Sequence, residues 1–288
     1  MALTGPSSSP GNRGARLKLL LHFAATRGWT VADRVRLFYY SALKPPLAFR
    51  RLTSYAPDRK LRFGMRAAPG RRFQVSLRDD ALDIVTLAEF FSAQYNFIPP
   101  ELPPYEPRVI YDIGANIGIA SLYFAVRYPR ARFVAFEPVP TNYELCRLNL
   151  QNLPDAETFP WAVSSASGTA EFEFDLNDLR GGRLGGAAGN ARASQKIQVP
   201  IYSINDLAAQ RKCPVPDFLK IDVEGAELNV LEGIGEQVQS IHRMLIETHG
   251  PELEAGCRRW LAANGFTLRH AHNQSPGFAS LWADRADG

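Results

Sequence analysis

The chain has 288 residues, of which 45% are apolar and 22% are charged, a composition typical of globular proteins. It argues against a disordered, fibrous or membrane-embedded protein. The net charge of +4 is unevenly distributed, because residues 1–73 carry 15 Lys and Arg but only two acidic residues, Asp33 and Asp58. The rest of the chain carries 18 basic and 27 acidic residues. A basic arm therefore precedes an acidic body.

Apolar runs and cysteines narrow the class of protein further. No apolar run approaches the roughly 18 residues that a transmembrane helix needs. The three cysteines are far apart and form no CxxC pair, which argues against a disulfide framework and against a zinc site. We therefore expect a cytoplasmic protein without a transmembrane segment.

The first 107 residues change in composition along the chain. A Ser-, Pro-, Gly- and Arg-rich start is typical of disorder, and apolar residues at helical spacing predict helices over 31–43 and 79–95. The prolines of 98–107 predict a stiff linker. In chain order we predict a disordered tail, a basic helical extension, and a helical lead-in with its linker (1–15, 16–73 and 74–107).

From residue 108 to residue 288, strand and helix patterns alternate, which predicts a single catalytic domain. Strands are expected over 109–113, 132–136, 157–163, 217–222, 241–247, 265–271 and 278–283. Helices are expected over 117–127, 140–152, 203–211, 225–234 and 251–263. Such β-then-α units form a largely parallel α/β sheet with helices on both faces and ligands at the carboxyl ends of the strands. Alternating residues at 170–174 and 196–201 predict an added β-hairpin.

A glycine-rich turn follows the first of these strands, in the sequence DIGANIG at 112–118. Glu137 ends the next strand, where an acidic residue can accept hydrogen bonds from both hydroxyls of a ribose. Asn116 stands where a dinucleotide-binding turn needs a glycine close to the pyrophosphate, which disfavours a phosphate ligand. S-adenosylmethionine contains a ribose but no phosphate, and backbone amides of Gly114 to Gly118 would suit its carboxylate.

Three separated motifs carry a resemblance to a known family: DIGANIG, AFEP at 135–138, and FLKIDVEGAELNVLEGI at 218–234. Together they resemble the FkbM family of S-adenosylmethionine-dependent methyltransferases, over roughly residues 75–285. The resemblance implies a class I (Rossmann-like) sheet of seven strands, the last antiparallel. It also implies that S-adenosylmethionine is bound at its methionine side by Asp112, Gly114, Asn116 and Gly118, at the ribose by Glu137, and near the adenine by Pro138, Asn142, Ala162 and Val163.

Acidic residues and a histidine follow the fourth and fifth strands of the predicted sheet. Asp222 and Glu224 end the fourth, and Glu247 and His249 end the fifth. Methyl transfer to a hydroxyl requires alignment and removal of a proton. We expect Asp222 or Glu224 to act as the base or to orient the acceptor, supported by Glu247 and His249.

Neighbouring residues leave alternatives open. Glu227 either interacts with a helix dipole or belongs to the site, and Lys220 neutralises the acidic residues. Asp222, Glu247 and His249 have the chemistry to collect a divalent cation, but no spacing motif requires one, and we expect no metal. Arginines between Asn177 and Ser194 belong either to a mobile lid or to an exposed insertion.

The acceptor is the least defined part of the predicted function. The fourth strand ends in Asp-Val-Glu and not in the Pro-Pro-aromatic pattern typical of methylation at nucleobase amines. We therefore expect O-methylation of a small molecule, sugar or secondary metabolite. The alternatives are a methyltransferase acting on RNA or protein through the basic arm, a non-catalytic module that docks on an anionic membrane or partner, and an NAD-dependent oxidoreductase.

Overall fold

The structure is a computed structural model that describes residues 13–39, 56–68, 71–79, 81–91, 97–175, 178–184, 194–210, 212–275 and 278–286. The chain divides into two compact units. One comprises Met1–Pro100 and Leu122–Arg127, and the other comprises Glu101–Ser121 and Tyr128–Gly288. None of the helices in the described ranges is long and apolar enough to cross a membrane.

The first unit combines helices with a β-hairpin. Its elements are α1 (Arg13–Arg27), α2 (Val31–Phe38), β1 (Ala56–Ala68), β2 (Arg71–Asp79) and α3 (Ala81–Phe91). The first twelve residues, most of the expected disordered tail, lie outside the described residues, as does the end of the helix predicted over 31–43. The domain limits proposed from the sequence stay predictions.

The hairpin differs from the helical extension that the sequence predicted. β1 and β2 pair antiparallel, with Phe63 opposite Val75. In β1 the exposed Lys60, Arg62 and Arg66 alternate with the buried Phe63 and Met65. This period of two is the signature of a strand with one buried face, and the high positive charge of the segment obscures it in the sequence.

The second unit is built on a seven-stranded sheet. Its strands are β3 (Val109–Ile113), β4 (Arg132–Phe136), β5 (Ala156–Phe159), β10 (Phe218–Ile221), β11 (Arg243–His249), β12 (Phe266–Ser275) and β13 (Phe278–Arg285). Their order is β12-β13-β11-β10-β3-β4-β5, and β13 is antiparallel to both neighbours. The predicted α/β class I methyltransferase sheet with its antiparallel last strand is thereby confirmed.

Helices follow these strands in the expected places. They are α4 (Ile119–Arg127), α5 (Pro140–Leu150), α6 (Ile204–Ala209), α7 (Glu227–Glu232), a 3-10 helix (Gly235–Ser240) and α8 (Pro251–Ala263). One buried apolar cluster joins Ile113, Phe136 and Ile221 of the strands to Leu207 and Val230 of the helices. This cluster packs the helices onto one face of the sheet.

A second, four-stranded sheet is inserted between β5 and α6. It contains β6 (Ala162–Val163), β7 (Gly168–Asp175), β8 (Asp178–Leu184) and β9 (Ser194–Tyr202), in the order β6-β9-β7-β8. β7 and β9 pair antiparallel, as the hairpin prediction required.

Two details of this inserted sheet differ from the sequence prediction. The strand expected over 157–163 is two strands, because Pro160 and Trp161 interrupt it and β6 pairs with β9 instead of β4. β8 lies inside the segment expected to be a lid or loop, and its glycine-rich sequence carries no alternating pattern. Residues 185–193, including Arg192, lie outside the described residues, so the lid stays a prediction.

Candidate functional site

The glycine-rich turn lies between β3 and α4, at the carboxyl edge of the sheet. Gly114, Asn116 and Gly118 all have positive φ angles, of 77°, 50° and 81°. A Cβ atom added to Gly114 would lie 1.8 Å from the carbonyl oxygen of Asp222. Glycine is therefore required here because two loops of the protein touch, a reason that the sequence pattern alone could not distinguish from the approach of a ligand.

The backbone amides of this turn are engaged within the protein. The N–H groups of Gly114 and Ala115 both donate to the carbonyl oxygen of Phe136 at 3.0 Å, and the N–H of Asn116 donates to Glu137 Oε2 at 2.8 Å. These three donors fix the turn against the end of β4. They are not free for the carboxylate that we expected them to bind.

Glu137 is the buried acceptor that holds this edge of the site together. Its side chain is 5% exposed, and Oε1 accepts from Val139 N at 2.9 Å and Asn142 Nδ2 at 3.4 Å. With Asn116, three of about four acceptor positions of the carboxylate are occupied. Burial raises the pKa of Glu137 to about 7, although these hydrogen bonds act in the opposite direction.

The residues expected near the adenine lie around this carboxylate. Pro138 is half-buried and Asn142 is buried beside Glu137. Ala162 and Val163 are only 6% and 2% exposed, and they pack in apolar clusters. Their contact with a purine stays a prediction.

Lys220 connects the glycine turn to Asp222, the first of the acidic residues that follow β10. Its Nζ lies 3.1 Å from Asp112 Oδ1, 3.1 Å from the Gly114 carbonyl oxygen and 3.2 Å from Asp222 Oδ2, and the residue is 3% exposed. Burial acts to lower the pKa of Lys220, but the negative charges around it raise the pKa above its ordinary value. Lys220 therefore neutralises the acidic residues, as expected, and also joins two loops.

Asp112 is the buried partner of Lys220 in this network. Its side chain is buried, and Oδ2 accepts a hydrogen bond from Ser121 Oγ at 2.7 Å. Asp112 thus supports the glycine turn from within, and its predicted contact with the cofactor stays a prediction.

His249, at the end of β11, lies among carboxylates that follow β10. His249 Nδ1 lies 2.7 Å from Glu227 Oε1, and Nε2 lies 3.4 Å from Glu224 Oε2 and 3.8 Å from Asp222 Oδ1. Asp222 and Glu224 are 27% and 33% exposed, but Glu227 is fully buried. The structure thus brings together three of the four predicted catalytic residues, because Asp222 and Glu224 both lie beside His249.

Glu227 is the member of this cluster whose role the sequence left undecided. It begins α7, and its Oε1 accepts from Gly225 N at 3.0 Å as well as contacting His249. The spacing of three residues from Glu224 was the available signal, but only the fold shows the contact with a residue 22 positions away. Glu227 orients the imidazole ring so that Nε2 faces Asp222 and Glu224.

The carboxylates change the proton affinity of the cluster. Burial acts to lower the pKa of His249, but the hydrogen bond to Glu227 and the charges of Glu224 and Asp222 raise it to about 9. Burial and the charge of Asp222 raise the pKa of Glu247 to about 8. Both groups therefore exchange protons at mildly alkaline pH.

The same side chains have the chemistry to hold a cation. Asp222, Glu224 and His249 each offer a ligand atom, and these atoms lie within 4.8 Å of one another. Carboxylate oxygens are ligands of divalent metals, and their negative charge also suits a sulfonium group. That no metal takes part stays a prediction.

This chain is similar to a known protein family and to several known proteins. The family described as Methyltransferase FkbM domain matches residues 112–268, more than half of the chain. Methyltransferase sdnD of Sordaria araneosa is 28% identical over 185 residues, covering 51% of this chain and 68% of that protein. Hexuronic acid methyltransferase AglP of Haloferax volcanii is 27% identical over 146 residues, covering 50% of this chain and 57% of that protein. The 31-O-demethyl-FK506 methyltransferase FkbM of Streptomyces tacrolimicus is 26% identical over 200 residues, covering 59% and 76%.

Proposed function

Because the chain belongs to the FkbM methyltransferase family, we propose that it transfers the methyl group of S-adenosylmethionine to a hydroxyl group of a small molecule or sugar. The observation that carries this proposal is the cluster in which a buried glutamate orients His249 toward two partly exposed carboxylates. Lys220 joins this cluster to the glycine turn, because its Nζ contacts both Asp222 and the Gly114 carbonyl oxygen.

The chemistry of the residues fits S-adenosylmethionine. Glu137 retains about one acceptor position for a ribose hydroxyl, and a second hydrogen bond requires the 3.4 Å contact of Asn142 to give way. Asp222 and Glu224 supply negative charge suited to a sulfonium cation, and Glu247 adds to it only above its pKa of about 8. When bound, the cofactor supplies an electrophilic methyl group, and the protein's own residues position the acceptor and take its proton.

An oxygen acceptor is supported by the relatives. One is named for a 31-O-demethyl substrate and another for a hexuronic acid. Hydroxyl groups are weakly acidic, so an oxygen acceptor needs a base close to the attacking atom. A small-molecule or sugar hydroxyl therefore agrees with the histidine and carboxylates at the end of β11.

His249 is the base in this proposal. A base must be oriented, and Glu227 fixes Nδ1 so that Nε2 faces the partly exposed carboxylates. Asp222 is less suited, because it is paired with Lys220 at 3.2 Å. In its neutral form His249 takes the hydroxyl proton at Nε2, and Asp222 and Glu224 orient the hydroxyl. Glu247 supports them from a position on β11 two residues before His249.

The proposed role of Glu137 predicts pH-dependent binding of S-adenosylhomocysteine. Ribose hydroxyls donate to the ionised carboxylate, and this form is lost as the pH falls through the pKa of about 7. We expect affinity to decrease from pH 8 to pH 6, and Glu137→Gln to lower affinity at pH 8 by about 10- to 100-fold, with a flatter pH dependence. Isothermal titration calorimetry measures both.

The exposed Glu232 provides the matched control for this experiment. Glu232→Gln should bind S-adenosylhomocysteine like the unchanged protein at every pH. An unchanged affinity in Glu137→Gln, or a pH dependence that survives the substitution, would contradict the ribose contact.

The function itself is tested with methyl-labelled S-adenosylmethionine. The label is offered with hydroxylated metabolites and glycans, with RNA, or with protein, and we expect incorporation into the hydroxylated small molecules or glycans. Label in RNA alone or protein alone would replace the proposed acceptor. Calorimetry with NAD and with S-adenosylhomocysteine completes the test. Tight binding of NAD, together with no binding of S-adenosylhomocysteine, would contradict the proposed methyl transfer.

A further inference from the structure

One face of α2 carries apolar side chains that point to solvent. Val31, Val35 and Phe38 are 76%, 62% and 42% exposed. Their spacing of four and then three residues places them in a single stripe along the helix. Of the six large apolar side chains that are exposed among the described residues, three lie on this apolar stripe.

The opposite face of α2 is fixed to the hairpin. Leu37 is fully buried, and Asp33 is 8% exposed. Asp33 and Thr30 form a capping box at the start of the helix, and Asp33 Oδ1 also accepts from Gly64 N of β1 at 3.1 Å. Rotating the helix to bury the apolar stripe would break these contacts. The exposure of the stripe is therefore built into the fold of this unit.

Four arginines surround the turn that precedes α2. Three of them donate to backbone carbonyl oxygens: Arg27 to that of Ala67 at 3.0 Å, Arg34 to that of Gly28 at 3.4 Å, and Arg66 to that of Trp29 at 3.3 Å. The guanidinium of the fourth, Arg72, lies 4.9 Å from the centre of the Trp29 ring. Carbonyl groups and rings do not neutralise a guanidinium, so the positive charge at this turn remains. Exposed Arg36 lies further along the helix, where its charge interacts with that of Asp33.

We propose that the apolar stripe and these arginines form a docking surface for a lipid bilayer with anionic headgroups. A bilayer offers both matching chemistries, phosphate groups for the arginines and an apolar boundary for the aliphatic and aromatic side chains. Nucleic acid would match only the charge, since phosphate contacts make no use of exposed valines. The surface is small, so docking is peripheral and reversible.

The experiment is co-sedimentation of the full chain with lipid vesicles. We expect binding to phosphatidylcholine vesicles that contain roughly 30% phosphatidylglycerol, and little binding to phosphatidylcholine alone. Val35→Asp should reduce the partition coefficient on anionic vesicles by about tenfold, because it removes apolar burial and adds a negative charge. Val215→Asp is the matched control, because Val215 is also an exposed valine, at 39%, but lies in the other unit.

The outcomes separate a bilayer from other occupants. Binding that weakens in about 0.5 M salt and is lost in Val35→Asp, but kept in Val215→Asp, supports the docking surface. Equal binding of the two variants, or no sedimentation with anionic vesicles, overturns it. A chain that ignores vesicles and changes from dimer to monomer in Val35→Asp would instead assign the stripe to a second copy of the chain.

Discussion

Replacing His249 with Gln should lower kcat by about 10²- to 10⁴-fold, the usual contribution of a general base, and leave the affinity for S-adenosylhomocysteine unchanged. The imidazole contacts Glu227, Glu224 and Asp222, and the ring of Phe278 lies 5.9 Å away on β13. Its loss therefore removes proton transfer without disturbing Glu137 or the glycine turn. Steady-state kinetics and calorimetry on the same preparation measure the two effects.

His242→Gln is the control, because His242 is exposed and lies before β11. It should keep full activity. An unchanged kcat in His249→Gln would exclude His249 as the base, and an equal loss of cofactor affinity would indicate a structural role. Measuring rates with and without EDTA is part of the design, since His249, Asp222 and Glu224 also have the spacing for a cation.

The pH dependence of kcat/KM distinguishes His249 from the carboxylates as base. Neutral imidazole accepts the proton, so kcat/KM should rise with pH and level off above the pKa of about 9. Glu227→Gln removes a charge that raises this pKa, so the rise should move to lower pH. Glu247→Gln should leave the rise near pH 9 in place; its disappearance would assign the proton transfer to Glu247, with its pKa of about 8.

Lys220→Met should lower the free energy of unfolding by about 3–5 kcal/mol, the usual cost of leaving a buried charge without its partner. The substitution keeps the length of the side chain but removes the cation from between Asp112 and Asp222. Asp112 is 1% exposed, so water cannot replace the lost contact. Urea unfolding followed by circular dichroism measures the loss of stability.

Lys212→Met makes the same chemical change at the surface. Lys212 is exposed and lies 5.0 Å and 5.8 Å from the rings of Tyr202 and Trp161. Loss of such a contact should cost no more than about 1 kcal/mol. If Lys220→Met is as stable as Lys212→Met, the ion pair does not hold the two loops together.

The sequence predicted the parallel sheet well because its strands are short, apolar and separated by amphipathic helices. α8 has the predicted limits, and β3 and β4 match the predicted ranges. The hairpin of β1 and β2 was missed, although Phe63 and Met65 alternate with basic residues. β8 has no such pattern, because its glycines provide no side chains to bury.

The site was predictable as a set of strand ends but not as a set of contacts. Parallel strands place Asp222 and His249 at one edge of a sheet, so their proximity follows from the fold. The contact of Glu227 with His249 depends on how α7 enters the edge, which no sequence spacing records. The close approach of Gly114 to the Asp222 carbonyl oxygen likewise exists only in three dimensions.

The inserted sheet leaves and rejoins the main fold at one point. Ala162 and Val163 of β6 lie beside Ile201 and Tyr202 of β9, and Ser164 N donates to the Tyr202 carbonyl oxygen at 3.0 Å. The segment that forms the inserted sheet therefore begins and ends at adjacent positions, in β6 and β9. A change in the length of residues 165–200 would therefore leave the order of the seven main strands unchanged.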